Sequence, residues 1–337
     1  MSKNIGIDLG TANTLAYVKG SGISLREPSV IAVNKRFGKV IAVGGQAKDM
    51  LGKTPEDIEV YRPLKNGVIA EFGMSKVMLK MFIDRIAKNN KFFLRPDIII
   101  CIPYGITEVE KIAAFDAVLE AGARTVAVIE EPIAAAIGAG IDTNAPKGSL
   151  IVDIGGGTTE VAVISCGGIV ISNSIKAAGD KMNEAIANEI QRKFGVLIGD
   201  SIAEDIKIAI GSVHPYVDRG SINIIGRSVT TGLPESITVC SSDTEEALRD
   251  IVEELADSIR KTLEATPPEL SGDILDDGII LTGGGCLLGG LEKLIREMTG
   301  LPVKVAESPA ESVIRGIGTV IEDIDNYKSL LNFIKYK

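Results

Sequence analysis

Asp8 and Asp153 each end a run of strand-forming apolar residues, and each is followed at once by a glycine-rich turn. The two stretches, GIDLGTAN (6–13) and VDIGGGTTE (152–160), share one scheme: apolar strand, Asp, apolar residue, Gly, then Gly or Thr. A glycine-rich turn between two strands leaves several backbone N–H groups pointing outward, and such a nest binds anions, phosphates above all. Thr11 and Thr158 add hydroxyl donors. A carboxylate alone at such a place repels phosphate. It makes sense beside a divalent cation, because Mg2+ takes carboxylate, water and phosphate oxygens. Two nests and two aspartates facing each other describe a clamp on a polyphosphate with Mg2+. The competing reading is a pair of hairpins whose glycines only supply positive φ. The matched placement of the two Asp residues favours the clamp.

Positioning these residues requires two similar domains, each presenting an acidic hairpin to a common cleft, since the scheme occurs twice in well-separated parts of the chain. The surrounding pattern is that of an α/β protein: short β-branched strands, glycine turns and amphipathic helices. DIIICIP (97–103) and TVAVIEEP (125–132) read as buried strands, the second running into a helix with Pro132 in its first turn. Val77, Met78, Met81, Phe82 and Ile86 share one face of a helix over 75–90, and Thr107 with Glu110 forms a capping box for the next. Asp180 is placed to cap a helix carrying Met182, Ile186, Ile190 and Phe194, and a further long helix runs from Thr244 to about Ala265 before Pro267-Pro268.

Other chemistries fit poorly. The single histidine, His214, lies before a proline in SVHPYVD and reads as a solvated loop residue, which argues against a Ser/His/Asp triad or a histidine metal site. Cys101, Cys166, Cys240 and Cys286 are far apart and read as buried thiols in a reducing compartment. A net charge of -9 argues against general nucleic-acid binding, and 4% aromatics without Trp argues against base stacking. A Walker A loop is missing, because Ala47 stands where Gly52-Lys53-Thr54 would need its first glycine, and no G-x-G-x-x-G follows a strand. There is no signal-peptide pattern and no apolar run of 18 residues, which predicts a cytoplasmic protein.

In order along the chain, IGIDLGTANT (5–14), EEPIAAAIGAG (130–140), VDIGGGTTEVAVIS (152–165), LTGGGCLLGGLEKL (281–294) and AESPAESVIRGIG (306–318) resemble the five-part signature of the actin, heat-shock-chaperone and sugar-kinase ATPase superfamily. Within it, GTANTLAYVKGSGISLREPSVIAV, RPLKNGVIAEF, IKAAGDKMNEAI and TPPELSGDI are most similar to the MreB/Mbl family of bacterial actins. Cys286, where Ala is usual, and the wording SPAESVIRGIG depart from the common pattern without touching the phosphate chemistry.

The resemblance implies a two-domain, four-subdomain actin-like α/β fold with a duplicated strand–helix core. The first half would span 1–144, with a small insert at about 33–65 and completion by about 311–337; the second would span 145–310, with an insert at about 181–242. It also implies site roles. Thr11, Ala12 and Asn13 would touch the β- and γ-phosphates of ATP, and Asp8 and Asp153 would hold Mg2+ through water. Gly155, Gly156, Gly157 and Thr158 would form the second phosphate nest, with Gly179 and Asp180 lining the cleft. Glu204 and Lys207 would hold ribose and adenine, their competing reading being a surface i,i+3 salt bridge. Gly283, Gly284 and Gly285 would let the backbone approach the adenosine. Glu131 is expected to orient the attacking water with Thr158 as a second partner, while strand alternation turns its rival Glu130 away.

The same resemblance implies an ATPase that polymerises with itself into paired, antiparallel protofilaments on the inner face of the cytoplasmic membrane, works with membrane-embedded wall-elongation proteins, and guides rod-shaped wall growth. The alternative is a small-molecule kinase of the same superfamily. A membrane contact is visible in the residues themselves. Phe92, Phe93 and Leu94 are consecutive between Lys91 and Arg95, and three successive apolar residues in a short loop cannot all face the core. The basic flanks suit anionic headgroups.

Overall fold

The computed structural model describes residues 4–88 and 95–333. Its fold is built twice from one plan. Asn4–Leu9 runs antiparallel to Asn13–Val18, and Ser149–Ile154 runs antiparallel to Thr159–Ser165. Each hairpin gains a third antiparallel strand, Gly22–Pro28 in the first case and Gly168–Ile175 in the second. On the other side each gains parallel strands: Asp97–Ile102 and Thr125–Glu130 in the first sheet, Ile279–Thr282 and Val303–Val305 in the second. Strands such as IIICI, and LIVDI apart from Asp153, are apolar because both faces of the sheet are covered. Asn332–Phe333 returns to the first sheet and pairs antiparallel with Thr125–Glu130.

Two three-stranded sheets sit on this frame. Ile31–Asn34 lies between Lys39–Val43 and Ile58–Tyr61 in the first half. In the second half Val196–Leu197 and the hairpin Ser221–Ser228/Pro234–Cys240 follow helices Gly179–Phe194 and Asp200–Ile210.

The halves are joined through a shared core. Helices Glu131–Gly138 and Ser312–Glu322 pack against each other, with Leu15, Ile99 and Ile129 of one sheet and Ile151, Ala162 and Ile164 of the other. Their crossing is close because both helices are glycine at the contact. A Cβ on Gly138 would lie 1.8 Å from the Ser312 carbonyl oxygen, and one on Gly316 would lie 1.8 Å from that of Ala134. The small residues of EEPIAAAIGAG and RGIG are thus the sequence of a helix crossing that brings the two sheets to a common cleft.

Most expected elements appear with shifted ends. The helix expected over 75–90 starts at Phe72, and the one expected from Thr244 starts at Ser241, where the Asp243 carboxylate accepts the Cys240 N–H at 2.8 Å. Pro267-Pro268 ends that helix but also opens another, Pro268–Asp277, since proline is tolerated in a first turn. The Thr107 capping box is present, with Glu110 Oε2 accepting the Thr107 N–H at 2.8 Å.

Candidate functional site

The two hairpin turns open onto a cavity of about 370 Å3 between the halves. Asp8, Gly10, Thr11, Ala12 and Asn13 reach it from the first hairpin; Asp153, Gly155, Gly156, Gly157 and Thr158 reach it from the second. Glu131 enters from the start of its helix, Gly179 from the start of Gly179–Phe194, and Glu204 and Lys207 from Asp200–Ile210. Gly283, Gly284 and Gly285 line the remaining side, following strand Ile279–Thr282. Ile208 and Leu287 add apolar walls.

The turns approach so closely that only glycine fits between them. A Cβ on Gly156 would stand 2.7 Å from the Ala12 Cβ, and one on Gly157 would stand 2.5 Å from Thr11 Oγ1. Gly283 has φ +78°, and a Cβ there would meet the Ile154 carbonyl at 2.3 Å. A third turn joins them. Asn66 (φ +51°) and Gly67 (φ +75°) connect strands Leu64–Lys65 and Val68–Ile69, and the Gly67 N–H donates to Thr11 Oγ1 at 2.9 Å.

Beneath the turns lie four carboxyls. Asp8 accepts the Cys101 S–H at 3.3 Å and Asp153 accepts the Thr282 hydroxyl at 3.0 Å. Burial, with the charge of Asp153 added, raises Asp8 to about 7, and burial raises Asp153 to about 6. Glu160 is raised to about 8 by burial and by Asp153. Glu131 is pushed well above the usual range by burial and by Glu160, Asp153 and Asp8. Such a group is what a divalent cation relieves. Among the described residues, no group of three or more His, Cys, Asp or Glu side chains could itself hold a metal ion. The carboxyls of Asp8 and Asp153 are of the oxygen-donor type that Mg2+ takes.

These shifts set a pH dependence. In the folded chain the carboxyls keep their protons at pH values where the unfolded chain has already lost them. Folding therefore takes up protons, and stability falls as pH rises from about 4 to about 8. Ligand-free protein is expected to melt at a lower temperature at about pH 8 than at about pH 5.5. The Asp8→Asn/Asp153→Asn variant should flatten that slope in thermal melts; an unchanged slope would contradict the assignment.

Across the cavity mouth the first-half insert grips the second half. Lys48 pairs with Glu204 at 2.6 Å, and the Arg62 guanidinium spans Asp180 at 3.3 Å and Asp200 at 2.5 Å. Lys207 donates to the Gly179 carbonyl at 2.8 Å, and burial lowers its pKa.

The family model described as MreB/Mbl protein matches residues 2–329. The chain belongs to the MreB/Mbl family. It is 49% identical over 324 residues to cell shape-determining protein Mbl of Bacillus subtilis, covering 96% of this chain and 97% of that one. It is 48% identical over 328 residues to cell shape-determining protein MreB of Escherichia coli, covering 96% and 94%. The crystal structure of MreB5 of Spiroplasma citri bound to AMPPNP superposes with a TM-score of 0.91 at 38% identity, covering 98% of each chain. The fold is accordingly the actin-like one expected.

In this MreB/Mbl-family chain several residues sit differently from expectation. Asp180 neither caps its helix, where Ala178 holds the N-cap position, nor lines the cavity; its carboxylate is engaged by Arg62. Glu204 and Lys207 are bound to Lys48 and to the Gly179 carbonyl, in place of a mutual surface pair, because both side chains turn toward the cleft. Glu131 begins a helix; the strand ends one residue earlier, at Glu130, which does not line the cavity and feels Lys111. His214 is buried, 2% exposed, with Nε2 3.2 Å from Glu297 and Nδ1 accepting the Tyr216 N–H, because its loop packs against residues 289–297. Cys101 and Cys286 are buried, but Cys166 and Cys240 are exposed, in a turn and at a helix start.

The sequence reading missed Lys48, Arg62, Gly67 and Glu160. Lys48 and Arg62 carry no local signal, since their partners lie far along the chain. Asn66-Gly67 did carry one, the dipeptide of a two-residue hairpin turn. Phe92, Phe93 and Leu94 lie outside the described residues.

Proposed function

We propose that this chain binds and hydrolyses ATP with Mg2+, assembles with copies of itself into filaments on the inner face of the cytoplasmic membrane, and directs rod-shaped wall growth with membrane-embedded wall-elongation proteins. The observation that carries this reading is the cavity between duplicated hairpins, where two facing glycine turns are each backed by a strand-end aspartate. The turn N–H groups bind phosphate oxygens, and Thr11 and Thr158 orient them. Glu204 is an acceptor for ribose hydroxyls, and Ile208 and Leu287 flank a flat base. Asp8 and Asp153 would hold Mg2+, which would supply charge neutralisation for the phosphates. Glu131 positions the attacking water, with Thr158 as its second partner. The cell-shape role follows the names of relatives matched over nearly the whole chain, which disfavour the small-molecule kinase.

Self-association is supported by apolar side chains left open on the second insert: Ile225, Val229 and Leu233 are all exposed on or beside its hairpin. They fall in the 201–242 segment, to which, with the 33–65 insert, we assign a head-to-tail contact between copies. Such a contact does not close, so it makes filaments; their paired, antiparallel arrangement is proposed on the resemblance alone.

No helix among the described residues is long and apolar enough to cross a membrane. Attachment is assigned to the Phe92-Phe93-Leu94 segment on its run of apolar residues and basic flanks. Each inserted side chain contributes at most about 1.5–3 kcal/mol, so a monomer binds weakly and a filament binds by summation. In vesicle co-sedimentation, the Phe92→Ser/Phe93→Ser/Leu94→Ser variant should still polymerise but stay in the supernatant. If it pellets with vesicles as the parent does, the loop is not the anchor.

A further inference from the structure

The duplicated plan extends to the residues beside the two aspartates. Asp153 is paired with Thr282 in the parallel ladder between Ser149–Ile154 and Ile279–Thr282. Asp8 and Cys101 hold the matching place in the first sheet, one step past the paired residues Ile7 and Ile100. In each half, the side chain on the neighbouring parallel strand donates to the same carboxyl oxygen. Thr282 Oγ1 donates to Asp153 Oδ1 at 3.0 Å, nearer than the Val152 carbonyl at 3.5 Å, and Cys101 Sγ donates to Asp8 Oδ1 at 3.3 Å. Both donors are buried and neither lines the cavity, whereas both aspartates do. Among the described residues, neither aspartate's Oδ2 takes a hydrogen bond, and neither is sealed off as a buried unpaired oxygen. The two neighbouring strands, DIIICI and IILT, are otherwise isoleucine and leucine at their buried positions, so packing alone does not call for a donor at Cys101 or Thr282.

We propose that Cys101 and Thr282 are a matched pair of positioning residues for Mg2+: each fixes Oδ1 of its aspartate and leaves Oδ2 as the oxygen offered to the cation and its water. The proposal rests on the reading above, in which Mg2+ accompanies ATP in this cleft. A carboxylate that can turn must be ordered when the cation arrives; one already held by a donor is preorganised. Partners of this kind commonly account for about 10- to 100-fold in metal affinity. Here the aspartates act through water and a thiol is a weak donor, so the effects fall at or below the lower end of that range. Neither donor lines the cavity, so nucleotide binding without Mg2+ is spared.

The test compares the dissociation constant of a fluorescent ATP analogue in excess Mg2+ with that in excess EDTA. Thr282→Val keeps the side-chain shape and removes the hydroxyl. It should weaken binding in Mg2+ about tenfold, and Cys101→Ala should weaken it about fivefold. In EDTA both variants should stay within about twofold of the parent, since there is no cation for the aspartates to hold. Cys101→Ser and Thr282→Ser keep a donor in place and should bind within about twofold of the parent in both conditions. Parallel losses in Mg2+ and in EDTA would show that the two residues only support the fold, and would overturn the proposal. Parent-like binding in Mg2+ by Thr282→Val and Cys101→Ala, or no rescue by serine, would overturn it equally. A parent protein that binds the analogue equally in Mg2+ and in EDTA would overturn the Mg2+ reading itself, and this proposal with it. A parent that does not bind the analogue at all would overturn the ATP reading.

Discussion

Glu131→Ala is expected to slow phosphate release at least about tenfold while nucleotide still binds. Phosphoryl transfer to water leaves the protein little covalent work, so positioning the water and stabilising charge account for most of the rate. Glu131 is the acidic side chain that reaches the cavity from the connecting helix, opposite Thr158 on the second turn. In the ligand-free chain, burial and three neighbouring carboxyls hold it well above the ordinary carboxylate range. Glu130 is the natural control. It feels Lys111 and lies outside the cavity lining, so Glu130→Ala should leave turnover near the parent value. Turnover unchanged in Glu131→Ala, measured by continuous phosphate release at saturating ATP, would remove the assignment.

A larger effect on binding is expected from Gly156→Val. The added Cβ would start 2.7 Å from the Ala12 Cβ, and the two further methyl groups have nowhere to go but between the turns. Overpacking at such a contact costs about 1–3 kcal/mol, which corresponds to roughly 5- to 150-fold weaker binding if the strain falls on the cleft. Titration with a fluorescent nucleotide analogue should show that loss while far-UV circular dichroism stays at the parent level, since both sheets hold their own cores. Parent-like affinity would mean that the turns separate without affecting the ligand.

The duplicated half of the fold was legible because its signal is local. A strand, an Asp and a glycine turn are contiguous, and the same scheme at Asp8 and Asp153 implied two facing hairpins. The cleft residues on those turns followed for the same reason. What could not be read is what depends on partners distant in sequence. Lys48 and Arg62 look like ordinary surface cations until the insert folds over the second half and meets Glu204, Asp180 and Asp200. His214 precedes a proline in a polar stretch, and only the packing of residues 289–297 against it makes it a buried residue. Glu160 follows two threonines at the start of a strand, and a solvent-facing acid is the default at such a strand end; the Tyr104 N–H, which it accepts, comes from a segment distant in sequence. Helix ends moved for a similar reason. The Cys240–Asp243 box that starts the long helix early is weaker as a sequence signal than a Ser or Thr cap.

The central claim is that nucleotide in this cleft drives assembly on a membrane. It is tested most directly by electron microscopy of the full-length protein, at tens of micromolar, on anionic lipid vesicles with ATP and Mg2+. The expected images show paired protofilaments lying along the vesicle surface with the parent protein, and bare vesicles with Gly156→Val. Bare vesicles with the parent, or equal filaments with both proteins, would contradict it.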